Sequence, residues 1–335
     1  MRGRNFIALL PMISALAGCS GWQSALDPQG PEARHLADLI WIFTAVCAAV
    51  WLLVMLALLF GLLRRRPLRA DPLAGKASSE QTAVRVIGTL AVITAVIVLA
   101  LTFLSYASQR KLYAKADPAV KIEVTGHQWW WELRYDEPSP HHSFTTANEI
   151  YIPVGEPVRL KLQSTDVIHS FWVPSLHGKM DLIPGQVNEL QFVAARPGIY
   201  RGQCAEFCGL QHAKMGVLIV ALPRAEYDVW RSKQIEAAQS PAEPERQKGQ
   251  QVFLTNSCVM CHAIRGTPAG SRVGPELTHL ASRRYLAAGT LPLSRGNLAS
   301  WIVDPHGSKP GVNMPVNRLA PDDLDPLLSY LQGLQ

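Results

Sequence analysis

Sulfur and nitrogen side chains crowd one stretch of the chain, Cys204-Ala-Glu206-Phe-Cys208-Gly-Leu-Gln-His212-Ala-Lys-Met215. Two thiols four apart, an imidazole four further on and a thioether three beyond that offer soft and borderline ligands from one loop. A second imidazole, His169, lies upstream in Asp166-Val-Ile-His169-Ser170, near a strand end. Thiolate, imidazole and thioether together select copper over hard cations, and the thioether favours copper over zinc. Two bridging thiolates let two metals share charge, which lowers the rearrangement on gaining an electron. Other chemistry can use the same residues. A Cys204–Cys208 disulfide in an oxidising compartment leaves His169, His212 and Met215 without a role. A zinc site of two Cys and two His leaves out Met215, and a single blue-copper site uses one Cys where two are present.

Further on, Cys258-Val-Met-Cys261-His262 has the Cys-x-x-Cys-His spacing of covalent c-type haem attachment. Two thioethers fix the macrocycle, and His262 falls under the iron as proximal ligand. A thioredoxin-like redox pair is the competing reading, but it needs a βαβ context that the surrounding sequence lacks. The sixth ligand is expected from a methionine in a Pro-flanked downstream loop, and Gly311-Val-Asn-Met314-Pro315 fits. His plus Met ligation raises the potential towards that of an electron carrier. Met260 sits inside the attachment loop and cannot serve.

These residues need rigid elements around them, and three kinds of segment are legible. Residues 119–222 carry short β-type runs at Lys121–Thr125, Trp129–Tyr135, Glu149–Pro153, Val158–Gln163, Glu189–Val193 and Val217–Leu222. Turn signals such as Pro184-Gly185 and Pro197-Gly198 separate them, which predicts an all-β sandwich or barrel of Greek-key type. Alternation puts Trp129 and Trp131 on one strand face and Trp130 on the other. Residues 223–244 read as a helical turn and a linker. Residues 245–335 open with a helix around Gly249–Phe253 and close with one over Pro321–Leu331.

The N-terminal part is of a different kind. Residues 1–18 read as a secretory signal, with Arg2 and Arg4 before the apolar run Phe6–Leu16. Leu16-Ala17-Gly18-Cys19 resembles a bacterial lipobox, in which Cys19 is lipidated and becomes the mature N-terminus. Leu39–Leu63 and Val86–Gln109 are free of charge and long enough to cross a bilayer. They form a predicted transmembrane hairpin over 36–110. Its loop is rich in Lys and Arg (Arg64, Arg65, Arg66, Arg69, Lys76, Arg85), so the positive-inside rule puts the loop in the cytoplasm and everything after Arg110 outside. Cys47, within the first span, reads as a small apolar residue.

Composition agrees with a multidomain membrane protein. Of 335 residues, 48% are hydrophobic and 17% charged, too apolar for a disordered chain or a soluble enzyme of this size. The 24 Gly and 24 Pro have no fixed period, which excludes collagen. The net charge of +6 is spread out, without the basic stripe that a nucleic-acid partner would require.

Taken in order, the motifs resemble subunit II of the haem–copper cytochrome c oxidases, which carries the binuclear CuA centre on a cupredoxin fold behind a two-helix anchor. The resemblance rests on the hairpin and on Gly126-His-Gln-Trp129-Trp130-Trp131, Asp166-x-x-His169-Ser-Phe, Pro174-Ser-Leu, Lys179-x-Asp181-x-x-Pro184-Gly185 and Arg196-Pro-Gly-x-Tyr200-x-Gly-Gln-Cys204. It implies CuA ligands His169, Cys204, Glu206 through its backbone carbonyl, Cys208, His212 and Met215. It also implies a magnesium site at the subunit I interface reached by the Glu206 side chain, and the electron-input position above the copper for Trp129. Residues 245–335 resemble a class I cytochrome c, all-α, with Gly274-Pro275-x-Leu277 matching the loop that packs near the proximal histidine.

The expected function is then that of the electron-input subunit of an aerobic respiratory terminal oxidase. Electrons would pass from a cytochrome c or another periplasmic donor through haem c and CuA to subunit I, which reduces dioxygen to water and pumps protons; subunit III is a further partner. The expected location is the bacterial inner membrane, with both redox domains on the outer face. A quinol oxidase subunit II would lack the copper ligands, and a membrane-tethered copper chaperone would lack Cys-x-x-Cys-His. Nitrous oxide reductase would need a propeller too large for this length. One position departs from the family: Arg85 falls where many relatives carry a glutamate that serves proton uptake, so Arg85 is expected to be an interface anchor. Residues 119–222 hold 8 Lys/Arg against 10 Asp/Glu, and 245–335 hold 9 against 6. The opposite signs predict weak, charge-guided docking of the cytochrome near Trp129.

Overall fold

A computed structural model describes residues 20–64, 77–112, 117–137 and 139–335. The signal segment and Cys19 lie outside the described residues, as do Arg65, Arg66, Arg69 and Lys76 of the basic loop. The chain divides into two compact units, residues 35–114 and the remainder, so both redox domains belong to one unit.

Helices α1 (Pro31–Leu63) and α2 (Ala77–Leu112) are each long and apolar enough to cross a membrane, with mean hydropathies of 2.8 and 2.6 in their most apolar windows. At 1.5 Å per residue, 33 residues extend about 50 Å. Leu53, Phe60, Ile87 and Phe103 are exposed, as lipid-facing side chains would be. In α2 the Thr94 and Thr102 hydroxyls donate to the carbonyls of Leu90 and Val98, at 2.9 and 2.8 Å. That satisfies each hydroxyl within its own helix, where the bilayer offers no water.

The β domain is a sandwich of two five-stranded sheets. The strands are β1 (Val120–His127), β2 (Trp130–Asp136), β3 (Phe144–Ala147), β4 (Glu149–Pro153), β5 (Val158–Ser164), β6 (His169–Trp172), β7 (Met180–Leu182), β8 (Asn188–Phe192), β9 (Gly198–Cys204) and β10 (Gly216–Leu222). One sheet runs β3-β2-β1-β5-β8 and the other β4-β10-β9-β6-β7, with β1/β5 and β4/β10 parallel and the other pairs antiparallel. The chain changes sheet after β3, β4, β5, β7 and β8, so the layers are tied together by their connections. Alternation does the rest: in β5, Val158, Leu160 and Leu162 are fully buried while Arg159, Lys161 and Gln163 are not. Burying such a side chain contributes roughly 1.5–3 kcal/mol.

Strand β4 lies at a sheet edge, yet all five of its residues are buried. The Tyr135 hydroxyl reaches across from β2, accepting from Tyr151 N at 2.8 Å and donating to Tyr151 O at 3.0 Å. Trp230 of helix α3 (Arg224–Ile235) stacks on the Tyr151 ring at 4.4 Å. The expected helical turn after residue 222 is therefore three full turns, because Tyr227 and Trp230 have an apolar surface to cover.

In the C-terminal region, α4 (Pro244–Thr255) crosses α7 (Pro321–Gln332). Gly249 makes the crossing: a Cβ there would fall 2.0 Å from the Pro326 carbonyl oxygen. Between them lie a two-residue ladder, β11 (Tyr285–Leu286) with β12 (Leu291–Pro292), and helices α5 (Arg295–Val303) and α6 (Pro305–Ser308). Val252, Phe253, Leu298, Leu327 and Leu331 form the buried core.

Candidate functional site

Adjacent antiparallel strands deliver the first two sulfur and nitrogen groups. β6 begins with His169, β9 ends with Cys204, and Phe171 pairs with Cys204 in the ladder. The loop after β9 returns Cys208 beside Cys204, and a single 3-10 turn (His212–Lys214) brings His212 and Met215 onto it. The sulfurs of Cys204 and Cys208 are 3.7 Å apart, and both thiols are free. His169 Nδ1 lies 3.9 Å from the Cys204 sulfur; His212 Nδ1 and Met215 Sδ lie 3.7 and 3.9 Å from that of Cys208. The Glu206 carbonyl accepts from Cys204 at 3.2 Å, whereas the Glu206 carboxylate is 4.0 Å from Lys179 Nζ. His169, Cys204, Cys208 and Met215 are buried, and the ligand atoms of the first three lie within 4.8 Å of one another.

His169 is oriented from behind. Asp166 Oδ1 accepts from Nε2 at 2.8 Å, which fixes the tautomer and leaves Nδ1 facing the sulfurs. The same carboxylate accepts from the backbone N–H groups of Val167 (2.6 Å) and Gln128 (2.7 Å). Burial works against its charge, but these bonds, led by that from His169, hold the Asp166 carboxyl below its usual range. Burial is likewise the largest single influence on His169 and disfavours its charge, but the bond to Asp166 and the nearby Cys204 sulfur together raise the ring. Gly126 provides the clearance, since a Cβ there would meet His169 Cδ2 at 2.8 Å. Between the cysteines, the hydrogen bond they share is the largest influence on both, lowering the Cys204 thiol and raising that of Cys208. Soft, buried donors with a fixed imidazole suit copper and offer nothing to a hard cation.

The three tryptophans separate by role. Trp131 is fully buried, edge-on to Phe171 and His169. Trp130 is half-buried and stacks on His127 at 4.5 Å. Trp129, in the turn before β2, is buried, and its ring N–H donates to the Cys208 carbonyl at 2.9 Å. Gln128 Nε2 donates to the same carbonyl at 2.8 Å. Burial alternates through the three, with Trp129 and Trp131 inside, but Trp129 stands in the turn and not on the strand face expected from sequence.

The haem motif occupies a 3-10 turn (Ser257–Met260) and its exit, with both thiols free. His262 Nδ1 donates to the Pro275 carbonyl at 2.7 Å, leaving Nε2 for an iron. Burial lowers the His262 ring, keeping it neutral as a ligand must be. Gly274 is required here: a Cβ would fall 2.8 Å from His262 Cε1. Two free thiols beside a neutral imidazole of fixed tautomer fit a covalently held haem. Met314 is half-buried in the irregular segment between α6 and α7.

The two redox domains meet through buried groups rather than through a screened surface pair. Lys309 is 1% exposed and donates to the carbonyls of Trp129 (3.1 Å) and Ala287 (3.2 Å). Glu149 accepts from the backbone N–H groups of Arg284 (2.7 Å) and Tyr285 (2.9 Å), and buried Arg283 reaches Thr146 at 3.4 Å. Ala288 O accepts from Gly216 N at 2.9 Å. At the rim, Arg272 pairs with Glu132; burial disfavours the charge on Glu132, but His127 and Arg272 hold its carboxyl below the usual range. Trp129 lies at this contact, whose central groups are buried and hydrogen-bonded and whose rim carries the oppositely charged pair Arg272 and Glu132. Asp166, Gln128 and Lys309 were not singled out from sequence. The carboxylate three residues before His169 was a usable signal for the first; nothing local marks the other two.

Comparison with known proteins bears on the whole chain. Residues 137–222 match the family described as cytochrome c oxidase subunit II, periplasmic domain, and residues 246–335 match cytochrome c. A cytochrome c oxidase subunit 2 of Alkalihalophilus pseudofirmus is 37% identical over 342 residues, covering 99% of this chain and 97% of that one. That of Bacillus subtilis is 28% identical over 350 residues, covering 98% and 96%. Among solved structures, the periplasmic domain of subunit II of cytochrome oxidase of Bradyrhizobium japonicum is 32% identical, covering 36% of this chain and 95% of that one, with a TM-score of 0.34.

Proposed function

Because the chain belongs to the cytochrome c oxidase subunit II family, and so to an oxidoreductase complex of the haem–copper type, we propose that it is the electron-input subunit of that oxidase. It is a membrane protein with periplasmic domains, and its cytochrome c domain is part of the same polypeptide. In our reading, electrons from a cytochrome c or another periplasmic donor enter at the cytochrome domain. They leave through the copper domain to subunit I, where dioxygen is reduced and protons are pumped. Subunit III completes the assembly.

Copper and haem, when bound, supply reversible one-electron storage with little rearrangement. The chain's own residues hold and aim them. Cys204, Cys208, His169 Nδ1, His212 Nδ1, Met215 Sδ and the Glu206 carbonyl would together hold a copper pair. The Glu206 carboxylate, near the exposed Lys179, would face a magnesium shared with subunit I. Cys258 and Cys261 would hold the haem covalently, with His262 and Met314 supplying ligands to its iron. Arg85 would anchor α2 at the interface, and Cys19 would carry a lipid anchor.

The observation that carries this reading is the placement of Trp129. Its ring N–H is bonded to the carbonyl of Cys208, and its own carbonyl is held by Lys309 of the cytochrome domain. Such a residue joins the two domains at the copper loop. The test is flash-induced oxidation of haem c in the assembled oxidase. The transfer should be independent of protein concentration and should slow by at least an order of magnitude in Trp129→Ala. A rate proportional to protein concentration would overturn the intrachain route, and a concentration-independent rate unchanged in the variant would remove Trp129 from it.

A further inference from the structure

The six residues before Met314 have no regular structure beyond the end of α6, yet they are fastened at several points. The fasteners come from the copper domain. Lys214 Nζ donates to the Ser308 carbonyl at 2.5 Å, and Gln211 Nε2 donates to that of Pro310. In the other direction, Lys309 Nζ donates to Trp129 O at 3.1 Å and Asn313 Nδ2 to Gln128 O at 2.8 Å. The partners come from two short stretches, 128–129 and 211–214. Both belong to the copper loop cluster, through Cys208, His212 and Met215.

A methionine side chain has three rotatable bonds and a neutral, soft sulfur. It stays on an iron only while the backbone beside it stays in place. A loop of this length, without a helix or strand of its own, opens locally at small cost unless side chains tie it down. Here four of the ties reach the copper domain, while Lys309 Nζ also donates to Ala287 O and Gly311 N to His306 Nδ1 within the haem domain. Asn313 is the immediate neighbour of Met314, and Lys309 is the most deeply buried of the anchors.

We propose that Lys309 and Asn313 are positioning residues that hold the Met314 loop on the copper domain, so that methionine ligation of the haem is enforced across the domain interface. The proposal rests on the assignment of Met314 as axial ligand. A consequence is that a change on the copper side, as far from the haem motif in sequence as Lys214, alters the haem's accessibility to an outside ligand.

The probe is imidazole, which competes with methionine for ferric haem. The full-length chain, in detergent and loaded with haem and copper, is titrated while the haem absorption is followed. Wild type should bind imidazole weakly. Asn313→Ala should bind about tenfold more tightly, the fold-change expected when one hydrogen bond of ordinary net strength is lost, and Lys309→Met, which removes two, should tighten binding by at least as much. Lys214→Ala should shift the affinity in the same direction, with the copper spectrum checked in the same sample. Met314→Leu sets the upper limit. Asn313 is exposed, so Asn313→Ala keeps the test open if Lys309→Met does not accumulate. Wild-type imidazole affinity in both Asn313→Ala and Lys214→Ala would overturn the proposal. Wild-type affinity in Met314→Leu would instead overturn the axial assignment, which separates the two failures.

Discussion

Replacing Asp166 by asparagine changes one atom of the copper site's surroundings and should weaken copper binding ten- to a hundredfold. The carboxylate makes three short bonds at once, to His169 Nε2, Val167 N and Gln128 N, at 2.8, 2.6 and 2.7 Å. All three partners are donors, and only a group that accepts at both oxygens can serve them. Asparagine accepts at one end and donates at the other. If its amide nitrogen faces Gln128 N, two donors oppose each other beside Trp129. If it faces His169, the ring must accept at Nε2 and carry its proton on Nδ1, the atom turned towards the sulfurs. Either way one charge-assisted hydrogen bond is lost, about 1.5–3 kcal/mol. At 1.4 kcal/mol per factor of ten, that agrees with the 10–100-fold effect typical of groups that orient a metal ligand. The assay is competition between the full-length chain and a copper chelator, with thermal melting of the metal-free variant as the control for folding. An Asp166→Asn chain that melts normally and binds copper within twofold of wild type would refute the tautomer argument.

Three other outcomes can be checked on the same preparations. Gly274→Ala should disturb His262, because its Cβ would sit 2.8 Å from Cε1; a cost of about 1–3 kcal/mol is expected, read as reduced haem incorporation and a lower melting temperature. Ala288→Gly should preserve or raise stability by up to about 1 kcal/mol in thermal melts, since Ala288 holds φ 55° in the left-handed region where only glycine is unstrained. The last concerns pH: burial, with repulsion from Lys214, pushes Lys309 down to about 7 against a pull from Cys208. Between that value and 10.5 the unfolded chain binds a proton the native chain lacks, so this residue's contribution to stability rises with pH through that window and is least favourable below it. From pH 7 to 8.5, wild type should gain roughly 1.5 kcal/mol over Lys309→Met in denaturant unfolding, and equal slopes would show that Lys309 does not titrate there.

What the sequence disclosed followed from how local each signal was. Val158–Ser164 alternates cleanly and is bounded by turn residues, so its strand was legible almost to the residue. β6 and β7 were not, because four residues beginning with His169 and three around Asp181 carry no period of their own. They become strands only through pairing with β9 and with each other. The grouping of Cys204, Cys208, His212 and Met215 was legible because one loop holds them all. His169 joined them through a recognisable motif rather than through spacing. Lys309 shows the opposite case. Nothing around it predicts a buried cation, since its partners, Trp129 and Ala287, are distant in the chain and the first lies in another domain.

The hydroxyl of Tyr135 also bears on solubility. Strand β4 ends its sheet, and an open strand end-on to solvent is a template on which a second molecule can add its own backbone. At Tyr151 both backbone groups that such a newcomer would need are already occupied by one phenol from the opposite layer, with the Trp230 ring lying alongside. A side chain can close an edge in this way without a further strand. A chain exported before its metals arrive therefore presents no free backbone at this position for aggregation to extend.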